Sequence, residues 1–189
     1  IQVDFPKSDS ADAFMYIIYR SSTATGTTPL DSIYASGSLS VYSYFDNSPI
    51  NSGPYYYRIQ VKDSCGNRSA LSLAHSPVDL TGTNANAMSK LNWVKRYVGY
   101  SFTNQILQKR TGATSWADYK TLNSTDTFYN DTSVIACGVY YYRLKTIKST
   151  DTTVISYSDS VLVQPFDTIR PNAPYARYIT VSGPSAVTL

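Results

Sequence analysis

The tetrapeptide Tyr-Tyr-Tyr-Arg occurs twice, at Tyr55–Arg58 and again at Tyr140–Arg143, a shift of 85 residues. The flanks move with it. Tyr44 and Asp46 correspond to Tyr129 and Asp131 at the same shift, and Val3-Asp4-Phe5 corresponds to Leu91-Asn92-Trp93 at a shift of 88, as does Phe14 to Phe102. Self-similarity at this period means that one unit is present twice, and a unit of roughly 80–100 residues is large enough to enclose its own apolar interior.

Within each copy the period is two. Tyr55, Tyr57, Ile59 and Val61 alternate with Tyr56, Arg58, Gln60 and Lys62; Tyr140, Tyr142, Leu144 and Thr146 alternate with Tyr141, Arg143 and Lys145. Side chains two apart share one face of a strand, so the first set in each copy is predicted to face a core and the second to face outward. Turn chemistry separates such runs at Asn51-Ser52-Gly53-Pro54, Asp63-Ser64-Cys65-Gly66-Asn67, Gly82-Thr83-Asn84 and Thr111-Gly112. Eighteen tyrosines, with nine glycines and nine prolines, suit short twisted strands joined by turns, because aromatic and β-branched side chains fill a pleated surface. The pattern predicts an all-β chain of packed antiparallel sheets.

The order of motifs resembles fibronectin type III repeats: a strand with Leu91 and Trp93, a strand ending in a basic residue (Ile17-Ile18-Tyr19-Arg20 and Ile106 to Lys109), then the Tyr-Tyr-Tyr-Arg strand, then Asp63 to Ser72. It is similar in particular to the repeats of large secreted surface proteins of gliding-motility-associated bacteria. The resemblance covers about residues 1–165 and implies tandem antiparallel β-sandwiches of the fibronectin type III or immunoglobulin-like kind. Copy one departs from the pattern by carrying Phe5 in place of tryptophan, and copy two by carrying Lys148-Ser149-Thr150-Asp151-Thr152 in the hairpin position.

In strand letters, the resemblance places B at about 1–6 and 88–95, C at 14–21 and 102–110, and C′ at 29–35 and 115–122. It places E at 40–46 and 126–131, F at 54–62 and 139–147, and G at 69–74 and 154–164, with strand A of copy two at 76–81. The expected division is a repeat lacking strand A over 1–76, a complete repeat over 77–168, and a linker with the first strands of a further repeat over 169–189, including Tyr178 to Val181 and Ala186 to Leu189. Ile1 reads as lying inside a strand, so the chain reads as an excerpt. The sheet edge left without strand A is expected to be covered, with residues 174–189 of a neighbouring molecule as the candidate for strand addition.

The same frame assigns structural roles. Phe5 and Trp93 fill the B-strand core position, and Tyr55 and Tyr140 stand at the tyrosine-corner position, where a hydroxyl bonds back to the E–F backbone. Cys65 falls in an F–G hairpin and Cys137 in an E–F corner, at opposite poles of a module; a strand of ten residues alone spans about 33 Å, whereas a disulfide needs Cα atoms within about 7 Å. The two are not expected to pair with each other. Two readings stand: unrelated free thiols, or bridges to preceding and following modules.

Catalytic chemistry finds no foothold. The single histidine, His75, and two separated cysteines make neither a zinc ligand set nor a nucleophile relay. Asp46 and Asp131 recur in separate units, so they cannot meet over one substrate and read as turn caps. With a net charge of +3 and 15% charged residues, no strong field draws the chain to nucleic acid, and no run of 18 apolar residues spans a bilayer. No cofactor and no metal site is expected. The candidate ligand surface is outward-facing: Tyr56, Arg58, Tyr141 and Arg143, aromatic and basic side chains able to stack on sugar rings or to cover cross-strand neighbours. Trp116, on the C′ segment, reads as packing across an edge. The expected role is a non-catalytic spacer or adhesive stalk of a large extracellular or cell-surface protein, with protein or glycan partners; the alternative is a glycan-binding accessory module of a secreted polysaccharide-degrading enzyme.

Overall fold

A computed structural model describes residues 1–48, 55–94, 99–175, 180–183 and 186–188, the last two segments as backbone. The expected Asn51–Pro54 turn, Tyr178, Ile179 and Leu189 lie outside the described residues. Every regular element among them is a strand.

The first five strands are β1 (Gln2–Pro6), β2 (Ala13–Ser21), β3 (Pro29–Tyr34), β4 (Val41–Phe45) and β5 (Tyr56–Asp63). They form two antiparallel sheets, β1-β4 and β3-β2-β5. Between the sheets lie Phe5, Tyr16 and Tyr42, buried, with Val3, Ile33, Ile59 and Val61 packed against them. The three rings meet at centroid distances of 5.1, 5.7 and 4.5 Å, the offset spacing that aromatic quadrupoles favour.

The next eight are β6 (Leu80–Ala85), β7 (Met88–Trp93), β8 (Asn104–Thr111), β9 (Ala117–Asn123), β10 (Phe128–Asp131), β11 (Tyr140–Lys148), β12 (Asp151–Tyr157) and β13 (Val161–Val163). Here β10-β7-β6 faces β12-β11-β8-β9, with β13 paired to β11. Leu80, Leu91, Trp93, Leu107, Leu122, Tyr140, Tyr142, Leu144 and Val163 fill the space between. The two sets of strands are thus two antiparallel β-sandwiches, each with its own interior, and Val3 pairs with Tyr44 as Leu91 pairs with Tyr129. A last pair, β14 (Thr180–Gly183) and β15 (Ala186–Thr188), forms a hairpin of its own.

Three expectations about elements are corrected. Gly82-Thr83-Asn84 is not a turn but the middle of β6, which begins at Leu80 rather than at 76; the chain reverses at Asn86-Ala87, with Ala87 in the left-handed region at φ 52°. The glycine serves close approach instead, since a Cβ there would lie 2.5 Å from Val163 Cγ2. Strand G of copy two is broken into β12 and β13 around Ser158. Strand G of copy one is no regular strand at all, although it runs along β5.

Both breaks have one cause. Ser72 N donates to Ile59 O and Ser72 Oγ accepts from Ile59 N, both at 2.9 Å. In copy two, Ser158 N donates to Leu144 O and Ser158 Oγ accepts from Leu144 N, both at 2.8 Å. Each hydroxyl replaces the carbonyl that a ladder would present and then donates to the next carbonyl along, Leu73 O or Asp159 O. The F-strand amide is satisfied while the G segment leaves β geometry.

Candidate functional site

The end of β2 brings Arg20 opposite Tyr57 of β5, and the end of β8 brings Lys109 opposite Tyr142 of β11. Cross-strand partners share a face, so each basic side chain points with its tyrosine into the sandwich, where an aspartate on the facing sheet meets them. Asp131, fully buried, accepts from Lys109 Nζ at 2.7 Å, Tyr142 Oη at 2.7 Å, Tyr119 Oη at 2.7 Å and Ser133 N at 2.9 Å. Asp46 accepts from Arg20 Nη1 at 2.6 Å, Tyr57 Oη at 2.8 Å and Ser48 N at 3.0 Å.

Burial by itself opposes ionisation of Asp46, but the Tyr57 hydroxyl, the Ser48 amide and the Arg20 guanidinium outweigh it and hold the carboxyl at about 2. Asp131 is lowered against the same burial by Lys109, Tyr119 and Tyr142. Burial, aided by the carboxylates, raises the phenols of Tyr57, Tyr119 and Tyr142. Groups this firmly held in one protonation state are poor proton shuttles; they clamp the two sheets together. The capping role expected of both aspartates is present in the Ser48 and Ser133 bonds. Their convergence with a half-buried cation and a buried phenol was missed, although a basic residue in register with an inward tyrosine was the available signal.

The outward face of the second sandwich is a ladder of rings and guanidiniums. Arg110 lies 4.6 Å from the Tyr141 ring centroid and 4.8 Å from that of Trp116; Arg143 lies 4.4 Å from Trp116 and 4.2 Å from Tyr157. Arg143 Nε donates to Gln108 Oε1 at 2.7 Å, and burial lowers its pKa. Tyr141 and Arg143 are therefore brought together, with Trp116 wedged between the two arginines. Tyr56 and Arg58 lie on the first sandwich, apart from that ladder, and Arg58 donates to Ala24 O.

Of the residues expected to be structural, Phe5 and Trp93 are 8% and 5% exposed. Tyr140 is buried and its hydroxyl accepts from Ile135 N at 2.8 Å, the bond of a tyrosine corner. Tyr55 is half-buried under Arg20, 5.2 Å from its ring centroid; the corner its hydroxyl would reach lies outside the described residues. Cys65 and Cys137 are both exposed and free. Among the described residues, no group of three or more His, Cys, Asp or Glu is placed to hold a metal ion, and no helix is long and apolar enough to cross a membrane.

In each sandwich one sheet carries strands C′, C and F and the other B and E, with A joining the second copy's B strand. The fold is fibronectin type III-like. No family model matches the chain. Over 75 residues, 40% of the chain, it is 37% identical to the amylopullulanase of Thermoanaerobacter thermohydrosulfuricus, of whose length the match spans 5%. Among solved structures it is similar to the FN1-FN3 domains of chicken CNTN1, at 12% identity and a TM-score of 0.36, over 86% of this chain and 62% of that one.

Proposed function

We propose that the chain is a non-catalytic structural and interaction segment, a spacer or adhesive stalk within a large extracellular or cell-surface protein. The carrying observation is that two sandwiches in tandem each close around a private interior and a private aspartate clamp, so the buried polar groups of the two never share a pocket. Residues 1–76 and 77–168 act as the two modules, and 169–189 leads toward a further one. The resemblance to surface proteins of gliding-motility-associated bacteria supports the same setting.

A second reading is supported by the match to a stretch of amylopullulanase, a polysaccharide-degrading enzyme: a glycan-binding accessory module, with Tyr56, Arg58, Tyr141 and Arg143 as its surface. Binding to insoluble polysaccharide, measured by pull-down with and without the Tyr56→Ala and Tyr141→Ala substitutions, separates the two. The spacer reading expects no tyrosine-dependent retention; retention that the double variant loses would favour the accessory module.

A further inference from the structure

On the outward face of the second sandwich two arginines are held against one ring. Arg110 of β8 lies opposite Tyr141 of β11, and Arg143 follows two residues along β11, so both guanidiniums converge on Trp116, at 4.8 and 4.4 Å from its ring centroid. Tyr141 holds Arg110 from a further side at 4.6 Å, and Tyr157 holds Arg143 at 4.2 Å. Planar forks immobilised in this way lose little freedom when they take up a ligand.

Neither arginine has a counter-charge. The ion pairs among the described residues use Arg20, Lys109 and Lys145. The chain's thirteen acidic residues are all aspartates and all fall within the described segments, so no further acidic side chain is left to pair with either arginine. Asp118, which acts on Arg143 through space, already accepts from Gln108 Nε2 at 2.5 Å and lies 3.6 Å from Lys145 Nζ. Arg143 spends its Nε on Gln108 Oε1. The terminal nitrogens of both guanidiniums reach solvent and donate to no group among the described residues. Burial and the neighbouring Arg110 charge both lower the Arg143 pKa, the mark of like charges gathered without an anion.

We propose that the Arg110–Arg143 pair binds the anionic group of an acidic polysaccharide, a uronate carboxylate or a sulfate ester. Guanidinium forks match such oxyanions with paired, charge-assisted hydrogen bonds. Tyr157 and Leu162, both exposed, share this face through their pairing with Lys145 and Tyr141 and offer apolar surface to the C–H faces of the sugars. The site is the Tyr141–Arg143 part of the accessory-module surface, and the assignment rests on that reading, with the ligand narrowed by charge; Tyr56 and Arg58, on the first sandwich, take no part.

Affinity electrophoresis of the full chain through gels holding polygalacturonate, dextran sulfate, dextran or polyglutamate is the test. At least one acidic polysaccharide should retard the chain, the two arms telling carboxylate from sulfate. Arg110→Gln should weaken that retention about tenfold, the loss of one charge-assisted contact. Arg68→Gln, beside the Asp63–Asn67 hairpin of the first sandwich, removes the same charge and should leave retention nearly unchanged. Equal losses for the two variants overturn the proposal, as does polyglutamate bound as tightly as the acidic polysaccharides. Dextran bound as tightly as those overturns it too but leaves a glycan-binding module standing, whereas no retention by any polysaccharide removes both. In the otherwise native chain the Nε proton resonances of Arg110 and Arg143 should shift on titration with the retained polysaccharide; their constancy overturns the proposal, and this decides the matter even if Arg110→Gln fails to fold.

Discussion

Inside the second sandwich Tyr142 donates its phenolic proton to Asp131 Oδ2 at 2.7 Å, both residues fully buried, and Tyr57 repeats the contact to Asp46 at 2.8 Å in the first. The two bonds join facing sheets of each sandwich at the same point. Charge-assisted bonds in such surroundings contribute roughly 1.5–3 kcal/mol each.

Tyr142→Phe keeps the ring and deletes the hydroxyl's bond to Asp131 together with its longer contact to Ser89 Oγ at 3.2 Å, so it should destabilise the second sandwich by about 2 kcal/mol. Asp131→Ala should cost more, about 3–5 kcal/mol, because it strands the half-buried Lys109 ammonium as well. Urea denaturation followed by near-ultraviolet circular dichroism measures both; equal effects for the two variants would show that the ion pair adds nothing.

Stability should fall steeply in acid. Asp46 has a folded pKa of about 2 against a reference of 3.8, so the unfolded chain takes up its proton first. The stabilisation is fully present above about pH 4 and is lost as pH falls toward 2. A shift of this size corresponds to about 2 kcal/mol. Asp131 acts in the same direction. The urea midpoint between pH 2 and 7 reads this out, and Asp46→Asn should flatten part of the slope; an unchanged slope would remove Asp46 as its source.

Ser158→Ala should leave the Leu144 amide buried without an acceptor, at a cost of roughly 1–3 kcal/mol. Hydrogen exchange at the Leu144 amide should accelerate by more than at Tyr142. Retention of full protection would mean that β12 and β13 realign to offer a backbone carbonyl.

Gly82→Ala places a methyl 2.5 Å from Val163 Cγ2, within the range where β13 has to shift. The expected cost is about 1–3 kcal/mol, and Val163→Ala in the same chain should recover part of it by making room. If the two substitutions simply add, Gly82 is not the contact that sets the distance from β6 to β13.

Much of the architecture was readable before any coordinates. The 85-residue repeat, the period of two around Tyr57 and Tyr142, and the small polar turns at Asp63–Asn67 and Thr111–Gly112 predicted where strands run and which way they face, since side-chain alternation is a local property of an extended backbone. Gly82 misled, because a small residue beside threonine and asparagine satisfies a tight turn and a close sheet contact equally well, and only the presence of Val161 and Val163 decides between them. Ser72 and Ser158 were equally mute: a serine beside a strand does not announce that its hydroxyl will stand in for a carbonyl.

The linear order of residues thus determined two β units, their strand directions and their inward faces, because each depends on spacings of two to ten residues or on plain repetition. Tertiary structure alone decided that Arg20 and Lys109 turn inward to Asp46 and Asp131, and that Arg110 and Arg143 share the Trp116 ring. Each of these needs groups from different strands within a few ångströms, and electrostatic and packing energies at that range depend on distance and burial, which no spacing along the chain encodes.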